Sequence, residues 1–183
     1  MNKELYLGFK DANFWADFSF VDFPEGYLES MAASANDALI AMGELERGAI
    51  ANPDENRMVG HYWLRAPETA PSEEIRNAIQ DTLAKTKNLA NRVHASDLRA
   101  PAGAFTDLLI IGIGGSSLGP QFVGRALGHP KTNKLAVHFF DNTDPDGIDL
   151  TLAEIGERLD TTLAIVISKS GGTPETRNGM LEA

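Results

Sequence analysis

Two short segments of the sequence combine glycines with hydroxyl side chains, a composition suited to holding an anion. The first, at residues 111–120, reads IGIGGSSLGP. Glycine lets a ligand approach the main chain closely, and serine adds a hydroxyl donor. A helix expected to begin near Ser117, with Pro120 in its first turn, would direct free N–H groups and its positive end toward the loop. The glycines and serines concerned are Gly112, Gly114, Gly115, Ser116 and Ser117.

The second segment, SKSGGTPET at residues 168–176, carries three hydroxyls, one ammonium group and two glycines. Thr173 suits a helix N-cap, Pro174 the first helical position and Glu175 the first turn. The sequence therefore predicts a helix directly behind a donor-rich turn, an arrangement in which amides and short hydroxyls cradle a phosphate. The candidate phosphate-binding residues are Ser168, Lys169, Ser170, Gly171, Gly172 and Thr173.

Three short apolar runs, at 107–113, 135–140 and 162–167, alternate with helical stretches. Runs of this kind are typical of strands buried on both faces, so the pattern predicts a doubly wound parallel α/β sheet with right-handed crossovers. In strand order 2-1-3, the first and third strands are neighbours, and the crevice at their carboxyl ends binds ligands. The two donor-rich loops then meet, whereas order 3-2-1 would separate them by a strand.

The residues before this sheet predict a different organisation. Apolar residues recur at helical spacing over 27–47 and again over 72–93, where Ser72 is a suitable N-cap. The stretch 49–67 indicates a loop with a short helical or extended piece. Seven aromatic residues mark the first 25 residues as an irregular segment packing on a core.

A loop at 95–106 separates the two patterns. We therefore predict a mostly helical N-terminal segment over 1–104, followed over 105–183 by the first half of a parallel α/β domain. The last helix has room for only about ten residues, and three strands make a small sheet, so we expect the chain to be a truncated part of a longer protein.

Composition excludes several classes of function. The 183 residues are 43% hydrophobic and 23% charged, as in globular proteins, and the net charge is −10 with a pI near 4.8. Such acidity argues against nucleic-acid or anionic-membrane partners. The absence of cysteine removes thiolate chemistry, and the four histidines show no metal-ligand spacing. Without a signal-like or membrane-spanning run, the expected location is the cytoplasm.

The first loop also matches parts of three other sequence patterns. Residues 115–119 match the G-x-S-x-G pattern of hydrolases, but no acid lies between Ser117 and either later histidine. The dinucleotide pattern G-x-G-x-x-G would need glycine at position 117, although Asp141 could mimic its ribose-binding acid. The nucleotide pattern ending in Gly-Lys-Ser/Thr fails, since Gly119 is followed by Pro120.

Four motifs together resemble the glucose-6-phosphate isomerase (phosphoglucose isomerase) family, whose fold contains sugar isomerase (SIS) domains. The resemblance extends from about residue 50 to the end. The motifs are GIGGSSLGP at 112–120, SKSGGTPET at 168–176, ENRMVGHYWLR at 55–65 and DNTDPDGID at 141–149.

This resemblance implies a site for the 6-phosphate of glucose or fructose. Gly115 and Ser116 would contact the substrate, and the donors of the second loop would surround the phosphate. Members interconvert aldose and ketose through an enediolate, in glycolysis and gluconeogenesis. They use a glutamate, a histidine, a lysine and an arginine that lie later in the family's sequence.

No catalytic residue is therefore carried onto this chain, and we expect the chain alone to be inactive. The resemblance implies a homodimer and neither metal nor cofactor. A non-catalytic sugar-phosphate sensor and a dinucleotide-binding domain remain alternatives.

Overall fold

The computed structural model describes residues 5–183. The chain divides into two compact units, one up to Thr82 and the other from Leu83 to Ala183, so the division falls inside a long helix. The predicted boundary at 104/105 stays a prediction. No helix among the described residues combines the length and apolar character needed to cross a bilayer.

The amino-terminal aromatic segment forms an antiparallel hairpin of β1 (Tyr6–Phe9) and β2 (Phe14–Asp17). A 3₁₀ turn and Asn13, at φ 48°, reverse the chain between the strands. The prediction of an irregular segment packing on a core is wrong, because these aromatic side chains are largely exposed and Phe20 is 86% exposed. The rings of Phe9 and Phe14 stack on each other within the hairpin, and Phe23 stacks on Tyr27 of the following helix.

The rest of the first unit follows the helical pattern. Helix α1 covers Tyr27–Glu46, one residue shorter than predicted. The stretch expected to be a loop with a short piece contains β3 (Ile50–Asn52), β4 (Arg57–Met58) and α2 (His61–Arg65). Buried Trp63 in α2 donates its indole N–H to the carbonyl of Glu46 at 2.8 Å, which satisfies a carbonyl at the end of α1.

Helix α3 covers Glu73–His94, against a predicted 72–93. The hydroxyl of Ser72 accepts the N–H of Ile75 at 3.2 Å, so the predicted cap is confirmed. Two glutamates lie in the first turn of the helix, and Arg92 and His94 lie in its last turn. Acidic residues at the amino end and basic residues at the carboxyl end interact favourably with the helix dipole.

A three-stranded parallel sheet forms the centre of the second unit. Its strands are β5 (Asp107–Ile111), β6 (Ala136–Phe140) and β7 (Thr162–Val166), in the order β6-β5-β7. The predicted order 2-1-3 is confirmed. The first strand ends two residues early because the chain leaves the sheet at Gly112.

Three helices connect and follow these strands: α4 (Gly115–Leu127), α5 (Pro145–Ile155) and α6 (Pro174–Glu182). A 3₁₀ segment, Gly156–Thr161, links α5 to β7. Helix α4 begins two residues before the expected Ser117, so Pro120 lies inside the helix rather than in its first turn.

The core of the second unit lies on one face of the sheet, where Leu109, Ile111 and Phe140 pack with Ile148 of α5. Helix α6 adjoins the same face, since a Cβ on Gly179 would lie 3.1 Å from Cγ2 of Ile111. The glycine therefore sets how closely α6 approaches the central strand.

Gly179→Val should lower the free energy of unfolding by about 1–3 kcal/mol, because the added methyl groups overpack the contact with Ile111. Urea unfolding measures the change. Gly124→Val is the matched control, since a Cβ at that position of α4 meets nothing within 4 Å. Equal effects at the two positions would contradict close packing at Gly179.

Candidate anion-binding site

The first loop leaves the sheet through a tight space at Gly112. Its N–H donates to the carbonyl of Phe140 at 3.0 Å, and a Cβ there would lie 3.0 Å from Cβ of Ser116 and 3.1 Å from the carbonyl oxygen of Ile167. Gly114 follows at φ 56°, ψ −126°, a conformation that requires glycine. These two glycines allow the chain to turn directly from β5 into α4.

The serines of the first loop differ in accessibility. Ser117 is buried and its hydroxyl donates to the carbonyl of Gly114 at 3.3 Å, whereas Ser116 is half-buried. The amides of both serines already donate to the turn, to carbonyls of Ile113 and Gly114. Burial of Ser117 counts against its use as a nucleophile, and the G-x-S-x-G interpretation is not supported.

The amides that remain open in the first loop precede the serines. Within residues 5–183, the N–H groups of Gly114 and Gly115 have no hydrogen-bond partner, and both glycines are exposed. The open donors at the start of α4 therefore include these two amides and the Ser116 hydroxyl. All three lie at the amino end of α4, where the helix dipole is positive.

The second loop gathers its three hydroxyls into one network. Oγ1 of Thr173 lies 3.1 Å from Oγ of Ser168 and 3.4 Å from Oγ of Ser170. The amide of Gly171 donates to Ser168 at 3.0 Å and that of Gly172 donates to Ser170 at 3.2 Å. Because both serine oxygens accept amide hydrogens, their own protons are available to donate.

Thr173 occupies the N-cap position of α6, as predicted, but makes no capping hydrogen bond with its side chain. Its hydroxyl turns into the loop toward the serines instead. Its carbonyl accepts the N–H of Arg177 at 3.1 Å and Pro174 occupies the first turn, so the helix start itself is as expected. Lys169, Gly171 and Gly172 are exposed along the same loop.

The two loops leave adjacent strands at the same edge of the sheet. The N–H of Ile167 donates to the carbonyl of Ile111 at 2.8 Å, directly beside the turn at Gly112. No strand separates the loops, because β5 and β7 are paired along their whole length. Neutral hydroxyl and amide donors at such a crevice are suited to an anionic group.

The family model for phosphoglucose isomerase matches residues 17–183. The chain belongs to this family. The match begins well before residue 50, where the recognisable motifs were expected to start. It includes the second unit and most of the first.

Curated relatives are similar over nearly the whole chain. Glucose-6-phosphate isomerase of Synechococcus elongatus is 59% identical over 170 residues, which are 92% of this chain and 32% of that protein. The protein of the same name from Geobacter sp. strain M21 is 61% identical over 168 residues, 91% of this chain and 32% of the relative. Glucose-6-phosphate isomerase of Geotalea daltonii is 55% identical over 180 residues, which are 97% of this chain and 34% of that protein. The chain thus spans about a third of the length of these relatives, in agreement with the expectation of a longer protein.

The family motif at 55–65 lies in the first unit, where Glu55, Asn56 and Arg57 form the turn into β4. The amide of Glu55 donates to Oδ1 of Asn52 at 3.1 Å, and Asn56 adopts φ 51°. Arg57 lies 3.7 Å from the Glu55 carboxylate in an exposed ion pair. In this unit the motif has a local structural role, shaping a tight turn.

The family motif after β6 contains an acid that accepts a hydrogen bond on each of its carboxylate oxygens. Oδ2 of Asp141 accepts Nε2 of Gln121 at 2.7 Å, and Oδ1 accepts Nδ2 of Asn142 at 3.0 Å. Asp141 therefore links α4 to the segment that follows β6. The sequence analysis missed the pairing, since Gln121 and Asp141 carry no spacing signal.

A buried acid at the opposite edge of the sheet was also missed. Asp107, at the start of β5, is fully buried. Its carboxylate accepts hydrogen bonds from Thr106 at 2.8 Å and Arg158 at 3.0 Å, and contacts Nε2 of His138 at 2.8 Å. His138 is therefore a satisfied core residue, as its place in an apolar strand indicates. A buried acid needs polar partners, so an aspartate at the start of an apolar strand is a sequence signal that could have revealed the cluster.

The environment of Asp107 makes stability depend on pH. Burial would raise the pKa of Asp107, but hydrogen bonds from Arg158, Thr106 and His138 and the charge of Arg158 outweigh it and hold the pKa below its ordinary value. The carboxylate therefore binds a proton less readily in the folded state than in the unfolded chain. Its contribution to stability is present above its ordinary pKa and is lost as pH falls through the lowered folded value.

Asp107→Asn should cost about 1–3 kcal/mol at neutral pH, since charge-assisted bonds are lost while half-exposed Arg158 keeps access to water. Its unfolding free energy should also fall less steeply with acidification below about pH 5 than that of the unsubstituted protein. Urea unfolding at several pH values measures both. The control is Asp160→Asn, which removes the same charge at an exposed position of the 3₁₀ segment that contains Arg158. Identical pH profiles for the two variants would refute the assignment.

Among residues 5–183, no three histidine, aspartate or glutamate side chains are grouped so as to hold a metal ion.

Proposed function

We propose that this chain is part of a glucose-6-phosphate isomerase, and that its two loops bind the phosphate of glucose 6-phosphate or fructose 6-phosphate. The observation that carries the proposal is the pairing of β5 with β7, since it brings both donor-rich loops to one edge of the sheet. It is supported by the family match and by relatives named glucose-6-phosphate isomerase. The intact protein then interconverts an aldose and a ketose phosphate, a step of glycolysis and gluconeogenesis.

In this proposal the second loop provides most of the phosphate contacts. The hydroxyl protons of Ser168, Ser170 and Thr173 are within one network and turn outward when an anion offers acceptors. Exposed Gly171 and Gly172 let the phosphate approach the main chain. Lys169 supplies the positive charge of the loop.

The first loop contacts the substrate beside the phosphate. Gly115 offers its open amide and Ser116 its half-buried hydroxyl, both at the positive end of α4. No residue of this chain is assigned a catalytic role, because the acid–base groups that the resemblance implies match none of its motifs. No metal or cofactor is assigned. The homodimer, the cytoplasmic location and the absence of nucleic-acid or membrane partners stay predictions of the sequence analysis.

Ser168→Ala combined with Thr173→Ala in the intact isomerase should raise KM for fructose 6-phosphate by at least about tenfold. Each lost hydrogen bond to a charged phosphate costs about 1.5–3 kcal/mol. A coupled assay gives KM and kcat, and inorganic phosphate serves as a competing ligand.

The control for that pair is Ser30→Ala with Thr69→Ala. Those hydroxyls are exposed and bond only to main-chain carbonyls three residues earlier. The proposed site is refuted if both double variants leave KM and the phosphate inhibition constant unchanged.

The 183-residue chain alone should show no isomerisation above the blank, because the implied glutamate, histidine and lysine lie outside it. A coupled assay with glucose-6-phosphate dehydrogenase and purified chain checks this. Turnover that scales with the concentration of the chain would contradict the assignment of the catalytic groups to other parts of the protein.

A further inference from the structure

Two consecutive residues at the end of β6 hold both ends of the first loop. The carbonyl of Phe140 accepts the N–H of Gly112, at the loop's entry, at 3.0 Å. The carboxylate of Asp141 accepts Nε2 of Gln121, in the second turn of α4, at 2.7 Å. The substrate-contacting positions Gly115 and Ser116 lie between these two attachments.

The Asp141 carboxylate is itself held in a fixed orientation. Its second oxygen accepts Nδ2 of Asn142 at 3.0 Å, while Oδ1 of Asn142 accepts the amide of Asp144 at 2.7 Å, immediately before α5. The hydrogen bond from Gln121 therefore ends on an oxygen anchored at the start of another helix. A charged acceptor makes this bond stronger than one between neutral groups.

Packing among the described residues leaves the rotation of α4 weakly determined. Ser117 is its only buried residue, and Leu118, Phe122, Val123 and Leu127 are between 53% and 83% exposed. Few apolar contacts therefore define how the helix is turned about its axis. Among the described residues, the Gln121–Asp141 bond is the side-chain hydrogen bond that links α4 to the end of β6.

We propose that Gln121 and Asp141 are positioning residues for the substrate site. By fixing the rotation of α4, the pair fixes the direction of the Gly115 amide and the Ser116 hydroxyl, which lie on the preceding turn. Neither Gln121 nor Asp141 touches the substrate in this assignment. The inference rests on the proposed function, since it concerns the geometry of the same anion site.

The pair can be tested by exchanging its donor and acceptor in the intact isomerase. Gln121→Glu faces one carboxylate with another and should raise KM for fructose 6-phosphate about tenfold, because small displacements of binding groups are costly. Adding Asp141→Asn restores an amide–carboxylate pair at unchanged net charge, and should return KM to within about twofold of the original value. kcat should change less than KM.

Two further variants separate positioning from charge and from stability. Gln121→Met removes the donor without adding charge and should raise KM severalfold, so that phosphate repulsion cannot account for the effect. Gln80→Glu, at an exposed position of α3, is the charge control. Melting temperatures are measured for all variants, and a KM change in fully folded protein is a readout that a purely structural role would not move.

Each outcome bears on one proposal. If Gln121→Glu and Gln121→Met leave KM unchanged while the Ser168/Thr173 double variant raises it, the positioning role is wrong and the phosphate site stands. If Gln121→Glu raises KM but Asp141→Asn does not rescue it, the pairing is wrong. If no variant in either loop changes KM, the proposed site itself fails. Should Gln121→Glu not fold, Gln121→Met and the exchanged pair decide.

Discussion

The second unit depends on the absence of a side chain at Gly112. This residue lies where three strands end together, bonded through its amide to the carbonyl of Phe140 and with the carbonyl oxygen of Ile167 3.1 Å from where a Cβ would be. A Cβ there would also lie 3.0 Å from Cβ of Ser116. Any larger residue would push β7 away from β5 or α4 away from the sheet. The close approach is what lets both donor-rich loops begin side by side.

The two loops keep their shape by different means. The second is held by its own short-range bonds, in which amides of Gly171 and Gly172 fold back onto the serine hydroxyls. The first has only tight turn bonds and glycines, and its helix buries a single residue. Its geometry is therefore imposed from outside, by the neighbouring strand. The proposed positioning role of Asp141, which lies outside both loops, follows from this difference.

Features governed by local pattern were predictable, and those governed by contacts distant in sequence were not. The boundaries of α1, α3 and the three parallel strands were predicted to within two residues because helical and apolar periodicities mark them. The aromatic segment was mispredicted, because aromatic content usually indicates burial, whereas Tyr6, Phe9, Phe14 and Trp15 lie in a largely exposed hairpin. Thr173 is a residue type that favours capping, but its hydroxyl contacts Ser168 and Ser170 instead of the helix amides. The contacts of Asp107 with His138 and Arg158 and the Gln121–Asp141 bond join residues between 20 and 51 positions apart.

An acidic chain with net charge −10 can still present a site for an anion, because amide and hydroxyl donors and the amino ends of three helices lie together at the carboxyl edge of the sheet. Buried Asp107 lies at the opposite, amino edge of the sheet, about 13 Å along β5 from the loops. Its charge is also matched locally by Arg158. Parallel strands send every following helix away from the carboxyl edge, so α4, α5 and α6 all begin there with their positive ends. Local donors and aligned dipoles, rather than net charge, therefore determine what this edge can bind.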